Sequence, residues 1–229
     1  MRPIALITGA TAGFGEAIAK KFAQHGYDLI ITGRRNERLE VFKASLEANH
    51  KIEVLTLCFD VRDRAITTHT LTSLPDRWNK VDVLVNNAGI CIETPLEHTT
   101  VEDWDRVMAV NVKSCFLTTK HAFELMCMPE ASAPAIVNIS SIEGLGANPL
   151  HAVYAASKAA VAAFTHNTAL EYGPSGIRCN AVAPGWINTP FNEQLLSQYP
   201  DRQAVDSAIK ALHPVGRLGQ PQDVAETVH

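Results

Sequence analysis

The amino-acid sequence predicts a doubly wound α/β fold, in which one parallel sheet carries helices on both faces. Short runs rich in Val, Ile and Leu alternate with segments of helical periodicity along the chain. Several runs are nearly continuous in apolar residues, which is typical of parallel strands buried on both faces. The first run passes directly through a glycine-rich turn into a helix. Such alternation predicts a parallel sheet with helical crossovers.

The elements follow from this periodicity in chain order. Strands are predicted at residues 4–7, 28–32, 51–59, 81–85, 135–139 and 178–183. Helices are predicted at residues 15–25, 36–49, 62–73, 101–128 and 153–172. The segment Thr100-Val-Glu-Asp103 resembles a capping box with Asp in place of Glu, and it marks the start of the fourth helix. A lid helix at 188–198 and a last helix over 222–229 complete the prediction.

The glycine-rich turn after the first strand reads Thr8-Gly9-Ala-Thr-Ala-Gly13-Phe-Gly15. Glycines permit a tight turn and let the backbone approach a pyrophosphate, while the N–H groups at the helix start attract its charge. Phe14 lies on one helical face with Ile18 and Phe22. The spacing is Gly-x-x-x-Gly-x-Gly rather than the common Gly-x-Gly-x-x-Gly. The position of the turn between a strand and a helix predicts a Rossmann-type dinucleotide site.

A second motif combines Ser141, Tyr154 and Lys158. Tyr154 lies thirteen residues after Ser141 and four before Lys158. In a helix this spacing places the Lys158 ammonium beneath the Tyr154 phenol, where a cation is expected to lower the phenol pKa toward neutral pH. The phenol can then donate and accept a proton. The Tyr-x-x-x-Lys spacing alone also arises by chance, so its weight depends on the surrounding motifs.

Composition limits the classes of function. With 229 residues, 46% of them hydrophobic, the chain can form one substantial core, so we predict a single domain over residues 1–229. The net charge of −4 argues against nucleic acid or an anionic membrane as a partner. Five scattered cysteines lack ligand spacing, which indicates core thiols and no metal site. The chain lacks a long apolar run and a signal peptide, so a cytoplasmic location is expected.

Several motifs in register resemble the short-chain dehydrogenase/reductase family over essentially the whole chain. They are Thr8-Gly9-x-x-x-Gly13-x-Gly15, Asn86-Asn87-Ala88-Gly89, Asn111, Ser141, Tyr154-x-x-x-Lys158 and Pro184-Gly185. The N-terminal half is most similar to NADP-dependent 3-hydroxy acid (serine) dehydrogenases, and the C-terminal half to oxoacyl reductases and sugar dehydrogenases. Family members continue beyond the segment corresponding to 216–225 into a seventh strand. The resemblance therefore implies one dinucleotide-binding and catalytic domain that lacks the usual C-terminal strand.

The residues at the end of the second strand indicate whether the cofactor is NAD or NADP. NAD sites of this type carry an acid there, whereas this chain has Gly33 followed by Arg34 and Arg35. Guanidinium groups bind a phosphate bidentately, so NADP is favoured over NAD. The alternative is a solvated arginine pair opening a helix, a placement that the helix dipole disfavours.

The family resemblance implies further cofactor contacts. Asp60 and Val61 are expected to flank the adenine, residues 86–89 the ribose, and Ile187 with Thr189 the carboxamide. The full predicted set is Gly9, Thr11, Gly13, Phe14, Gly15, Arg34, Arg35, Asp60, Val61, Asn87, Ala88, Gly89, Tyr154, Lys158, Pro184, Gly185, Ile187 and Thr189.

The resemblance also implies the catalytic roles. Tyr154 supplies a proton to the developing alkoxide, Ser141 polarises the carbonyl, and Lys158 holds a ribose hydroxyl and stabilises the phenolate. Asn111, through its side chain or a local helix distortion, supports a water relay that ends at Lys158. Ser140 is an equally common type of strand-end residue, but the spacing to Tyr154 selects Ser141.

The predicted function is the interconversion of a secondary alcohol and a ketone by an NADP-dependent oxidoreductase. Candidate substrates are 3-hydroxy acids or oxoacyl compounds, and a sugar or steroid dehydrogenase is the alternative within the family. A catalytically silent NADP-binding regulatory protein is the alternative class, against which Ser141, Tyr154 and Lys158 argue. The expected substrate pocket contains Cys91, Ile92, Glu143, Leu145, His151, Trp186 and Phe191.

Two residues of this pocket allow more than one interpretation. Glu143 can bind substrate hydroxyls, but we interpret it as a solvated loop carboxylate, and His151 as a loop residue.

Assembly into a homodimer or homotetramer is also predicted. Members of the resembled family pair through the helices predicted at 101–128 and 153–172. The second helix carries a face of small residues that allows close approach, at Ala155, Ala156, Ala159, Ala160, Ala162 and Ala163, with Phe164 as an anchor. Some of these alanines must instead pack on the sheet.

Overall fold

The computed structural model describes residues 2–197 and 199–229, in which six parallel strands form one sheet. The strands are β1 (Ile4–Ile7), β2 (Asp28–Gly33), β3 (Val54–Cys58), β4 (Val83–Asn86), β5 (Ala135–Ile139) and β6 (Arg178–Val182). Their order across the sheet is β3-β2-β1-β4-β5-β6. The predicted doubly wound fold is therefore confirmed. The third strand is shorter than predicted, because residues 51–53 precede the paired segment.

Helices cover both faces of this sheet. They are α1 (Gly13–Gln24), α2 (Asn36–Asn49), α3 (Arg64–Thr72), α4 (Val101–Met108), α5 (Ser114–Met126), α6 (Ala152–Tyr172), α7 (Pro190–Leu196), α8 (Arg202–Ala211) and α9 (Pro221–Val228). The predicted lid helix over 188–198 corresponds to α7, and its last residue, Gln198, lies outside the described residues.

Two helical segments differ from the prediction. The helix predicted at 101–128 is divided into α4 and α5 by a π-helical turn at Ala109–Lys113. Thr100 caps α4 as predicted, since its hydroxyl accepts a hydrogen bond from the Asp103 N–H at 3.0 Å. Helix α8 was not predicted, although Asp201 caps it by accepting from the Ala204 N–H at 2.9 Å.

The core consists of two layers separated by the sheet. Ala5 and Ile7 of β1 pack with α1, α2 and α9, whereas Ile4 and Leu6 pack with α3 and α5. Successive side chains of a strand point to opposite faces, so a continuous apolar strand supplies both layers. Periodicity alone therefore places β1 at the centre of the fold.

A buried chain of amides connects the middle of the sheet to α5 and α6. The Asn86 side-chain amide donates to Asn138 Oδ1 at 2.8 Å and to Thr119 Oγ1 at 3.0 Å. Asn138 in turn donates to Thr165 Oγ1 at 2.9 Å. Asn86 is buried in this network, so the expectation that it lines the ribose site is wrong. Its side chain instead fixes the ends of β4 and β5, from which the site is built.

Candidate active site

A cleft of about 620 Å³ opens at the carboxyl ends of β1, β2, β4 and β5. The strand order reverses its direction between β1 and β4, and ligands of open α/β sheets bind at such a switch point. Gly9 follows β1, Asn87 follows β4 and Ser141 follows β5, and all three line the cleft.

The glycine-rich turn has the backbone conformation that glycine permits. Gly9 and Gly13 have φ values of 66° and 59°, in the left-handed region that other residues avoid. Asn87 holds the turn from the next strand, because its side-chain amide donates to the Thr8 and Gly9 carbonyls at 2.9 and 3.1 Å. The Thr8 hydroxyl accepts the Asn87 N–H at 3.0 Å. Two predicted motifs, far apart in sequence, thus form one rigid wall.

The start of α1 fits a pyrophosphate. Ala12 precedes the helix in an extended conformation, and its side chain caps none of the N–H groups of the first turn. These N–H groups and the helix dipole are suited to an anion. A Cβ on Gly15 would contact the Gly9 carbonyl and lie 2.6 Å from the Asn87 amide nitrogen. Gly15 therefore serves close packing under the turn.

Positive charge is concentrated where β2 ends. Arg34 and Arg35 line the cleft with exposed side chains, and no acid occupies the last position of β2, which is Gly33. Asp60 lies near Arg34, but Arg62 engages it with Nε–H and NH2 bonds of 3.0 and 2.7 Å. These contacts and the nearby Arg34 charge lower the Asp60 pKa. The side chains of Arg34 and Arg35 form no hydrogen bond or ion pair with the residues that the structure describes, which suits them to a phosphate.

Ser141, Tyr154 and Lys158 meet at the opposite end of the cleft. Ser141 lies two residues after β5, and its hydroxyl accepts the Glu143 N–H at 3.1 Å. Helix α6 presents Tyr154 and Lys158 on one face, with Lys158 Nζ 5.7 Å from the centre of the Tyr154 ring. Lys158 Nζ donates to the Ile139 carbonyl at 2.7 Å. The neighbouring Ser140 hydroxyl binds the Lys158 carbonyl at 2.9 Å, so it anchors the helix while Ser141 faces the cleft.

Burial controls the protonation of this group. It raises the Tyr154 pKa, and a hydrogen bond with Ser141 only partly opposes the effect. Burial also lowers the Lys158 pKa to about 8. The expectation that the Tyr154 pKa lies nearer neutral pH is therefore wrong for the protein alone, because burial raises it and Lys158 is not among the groups that lower it. The phenol is protonated at neutral pH and is suited to donate a proton.

Asn111 lies behind the catalytic residues, in the π-helical turn between α4 and α5. Its side-chain oxygen accepts the Ile90 N–H at 2.8 Å, and its amide donates to the Ile90 carbonyl and to Ser157 Oγ, both at 2.9 Å. The extra residue of a π turn reorients its side chains, and such turns are frequent at functional sites. Asn111 joins the loop after β4 to α6, one residue before Lys158.

Glu143 is buried, so the interpretation of it as a solvated loop carboxylate is wrong. His151 lies in the loop before α6, as predicted, and it is buried too. His151 Nε2 lies 2.8 Å from Glu93 Oε1, and its Nδ1 lies 3.6 Å from Glu143 Oε2. Asn148 donates to Glu143 Oε1 at 2.6 Å. Glu93 and Asn148 had not been predicted, and no local pattern marks them, because the loops after β4 and β5 bring them together.

The cleft brings together most of the predicted site residues. Those that line it are Gly9, Thr11, Gly13, Phe14, Arg34, Arg35, Asp60, Val61, Asn87, Ala88, Gly89, Cys91, Ser141, Glu143, His151, Tyr154, Lys158, Pro184, Gly185, Trp186, Thr189 and Phe191. Besides Asn86, five predicted residues do not line it, and Ile92 is one of them. Gly15 and Asn111 support it from behind, Ile187 is buried and pairs with Gly219, and Leu145 is 76% exposed outside it.

Helix α8 also supports the cleft, through a residue that the sequence did not indicate. His213 Nδ1 lies 2.7 Å from the Ile209 carbonyl, and its Nε2 accepts the Trp186 N–H at 3.3 Å. Through these two contacts His213 connects the end of α8 to the loop that carries Gly185 and Trp186.

Comparisons with known proteins agree with this geometry. The family model described as short chain dehydrogenase matches residues 3–200. The chain is 40% identical to an NADP-dependent 3-hydroxy acid dehydrogenase of Salmonella typhi, covering 80% of this chain and 72% of that protein. It is 37% identical to the 3-oxoacyl-acyl-carrier-protein reductase of Thermotoga maritima, covering 98% and 88%.

A solved structure shares the whole fold. A variant of the actinorhodin polyketide ketoreductase with NADPH superposes with a TM-score of 0.89 at 34% identity, covering 99% of this chain and 88% of that one. Among the helices described here, none is long and apolar enough to span a membrane.

The depressed Lys158 pKa predicts a pH-dependent stability. The folded-state pKa of about 8 lies below the ordinary value of 10.5, so protonated Lys158 destabilises the fold at neutral pH and this cost disappears as the pH rises through that window. Relative to Lys158→Met, the wild type should gain about 2 kcal/mol of unfolding free energy between about pH 7 and about pH 9.5. Urea unfolding of both proteins at the two pH values measures it. Parallel pH dependence of the two proteins contradicts the buried-ammonium assignment.

Proposed function

The chain belongs to the short-chain dehydrogenase/reductase family, and from this membership we propose that it interconverts a ketone and a secondary alcohol with NADP. It is an oxidoreductase of a family whose named relatives act on ketone and hydroxyl groups. The observation that carries the proposal is the meeting of Ser141, Tyr154 and Lys158 at one end of the cleft, with the uncapped α1 start and two arginines at the other.

The proposed chemistry assigns one task to each side chain. The nicotinamide cofactor, when bound, supplies the hydride for reduction or accepts it for oxidation. Ser141 Oγ orients the substrate oxygen beside the Tyr154 hydroxyl. The buried, protonated phenol donates its proton to that oxygen as negative charge develops. In the oxidation direction the same phenol oxygen receives the proton.

Lys158 and Asn111 support this transfer. Lys158 has a pKa of about 8, so both its charged and its neutral form are populated near that pH. The charged form can therefore donate a proton to Tyr154 after Tyr154 has given its own proton to the substrate. We propose that Asn111 positions Lys158 through Ser157 and the Ile90 backbone. The Gly89 backbone passes close by, because a Cβ there would lie 3.5 Å from both Lys158 Nζ and Asn111 Oδ1.

NADP is the proposed cofactor. Arg34 and Arg35 follow β2 where a ribose-binding acid would otherwise exclude a phosphate. A named relative is NADP-dependent, and the ketoreductase structure holds NADPH. Candidate substrates are 3-hydroxy acids or oxoacyl compounds, with sugars or steroids as the alternative. The catalytically silent alternative does not explain why a phenol, an ammonium and a hydroxyl converge in the cleft.

A panel of ketones with NADPH, and of the matching alcohols with NADP, tests this function. Loss or gain of NADPH absorbance reports turnover, and NADH and NAD serve as the cofactor comparison. NADPH binding without turnover of any carbonyl compound favours the silent NADP-binding protein instead.

Tyr154→Phe should lower kcat by at least about 100-fold, because it removes only the transferable proton. NADPH affinity, measured by fluorescence titration, should stay nearly unchanged. Lys158→Ala should weaken both turnover and NADPH binding, since it loses a ribose contact as well. Near-wild-type turnover of Tyr154→Phe refutes the proton-donor role.

Replacing Arg34 and Arg35 by Gln should weaken NADPH binding by up to about 3 kcal/mol, taking about 1.5 kcal/mol for each charged hydrogen-bonding group. NADH affinity should change little, because NADH lacks the additional phosphate. Arg106→Gln, an exposed change on α4, is the matched control. A wild-type preference for NADH contradicts the assignment.

We also propose a homodimer or homotetramer that pairs through α5 and α6. Ala156, Ala159 and Ala163 lie outward at helical spacing on α6, followed by Leu170, which is 78% exposed. Phe116 of α5 is 47% exposed. An apolar face of small residues that is not covered by its own sheet is suited to close pairing with a second copy.

Ala159→Glu should therefore dissociate the assembly to the 24.9 kDa monomer at micromolar concentration. Light scattering coupled to gel filtration measures the mass. Ala204→Glu adds the same charge to exposed α8 and should leave the mass unchanged. A monomeric wild type refutes the proposal.

A further inference from the structure

Three titratable side chains outside the proton-transfer group lie together at the substrate end of the cleft. His151 sits between two carboxylates, with Nε2 2.8 Å from Glu93 Oε1 and Nδ1 3.6 Å from Glu143 Oε2. All three side chains are largely buried. The cluster contains two carboxyl groups for one imidazole, so acidic groups outnumber basic ones.

Within the described residues, only one oxygen of the Glu143 carboxyl group accepts a hydrogen bond. Asn148 binds its Oε1 at 2.6 Å, but Oε2 and the facing His151 Nδ1 have no hydrogen-bond partner among the described residues. Their separation of 3.6 Å is too long for a hydrogen bond. A buried carboxyl group with an oxygen that lacks a donor disfavours a second carboxylate nearby, because electrostatic interactions are strong in a medium of low dielectric constant.

This carboxyl group lies beside the reacting groups. Glu143 and His151 line the cleft together with Ser141 and Tyr154. The Glu143 N–H binds Ser141 Oγ at 3.1 Å, and the His151 and Tyr154 ring centres are 6.0 Å apart. The part of a substrate next to its reacting carbon therefore meets the field of Glu143.

Among the described residues that line this end of the cleft, no lysine or arginine side chain is free to pair with a substrate anion. Arg34 and Arg35 lie at the other end, after β2 and beside Asp60. Lys158 lies at this end, but its Nζ is bound to the Ile139 carbonyl. A substrate carboxylate here would face the Glu143 carboxylate without a free lysine or arginine, which is costly in a buried site.

We propose that Glu143, held by Asn148 beside His151, determines specificity by excluding substrates with a carboxylate near the reacting carbon, as in 3-oxo and 3-hydroxy acids, and by selecting uncharged ketones and alcohols. The inference rests on the proposed function and narrows it, because it favours esterified oxoacyl compounds over free 3-hydroxy acids. The 3-hydroxy acid dehydrogenase relative is named for the opposite class.

Matched pairs of one ketone with and without the charge test the inference. Each pair contains a 3-oxo acid and its methyl ester, such as acetoacetate and methyl acetoacetate, in a series of increasing chain length. The wild type with NADPH should favour the ester in kcat/KM by at least about tenfold, which corresponds to about 1.4 kcal/mol. Glu143→Gln keeps the size and the Asn148 contact but removes the charge, so it should reduce this preference at least about tenfold, mainly by improving the acid.

Glu97→Gln is the matched control, since Glu97 is exposed in the loop that carries Glu93. It should leave the ester-to-acid ratio unchanged. A thermal melt of each variant excludes general loss of structure, and the ester-to-acid ratio of kcat/KM in the wild type tests the proposal without any variant.

Three results overturn the inference but leave the proposed function intact. They are equal kcat/KM for the acid and its ester, a preference for the acid, and an ester-to-acid ratio that stays unchanged in Glu143→Gln. If neither partner of any pair is consumed, both proposals fail.

Discussion

The site depends on one costly contact, the burial of the Lys158 ammonium against the end of β5. The Ile139 carbonyl accepts a hydrogen bond from Lys158 Nζ at 2.7 Å. The next residue, Ser140, anchors α6, and Ser141 lines the cleft. Gly144 permits this approach, because a Cβ there would lie 2.7 Å from the Lys158 carbonyl carbon. Loss of hydration lowers the Lys158 pKa to about 8. The buried ammonium therefore reduces the free energy of unfolding, but it can release a proton more readily than an exposed lysine.

The sheet holds this contact in place through polar groups in its core. Asn86 and Asn138 bridge β4 and β5 and reach α5 and α6 through threonine hydroxyls. Asn87 follows β4 directly, and its side chain holds the Thr8–Gly9 turn. Two neighbouring asparagines thus connect the glycine-rich turn to the strand ends that carry Ser141 and, through α6, to Tyr154 and Lys158. Hydrogen bonds between buried amides are directional, whereas apolar contacts are not. Such a network can therefore fix the positions of the strand ends on which the site is built.

The cleft is electrically polarised along its length. Arg34 and Arg35 line the β2 end, whereas Glu143 lines the other end, where His151 lies between it and Glu93. A dinucleotide carrying a phosphate at one end and a substrate at the other would meet basic groups first and acidic groups last. His213, just after helix α8, holds the Trp186 backbone in the same region. This distribution of charged groups extends over a distance that no single motif spans.

Sequence alone determined the order of strands and helices, the glycine turn, the arginine pair and the Ser141, Tyr154 and Lys158 group. These features are local, because apolar periodicity, positive-φ glycines and i, i+4 spacing are properties of neighbouring residues. Tertiary structure decided the burial of Glu143 and His151, the structural role of Asn86, the π turn at Asn111 and the raised Tyr154 pKa. Each depends on desolvation or on contacts between segments distant in sequence, such as Glu93 with His151, and no local pattern encodes how much water such contacts exclude.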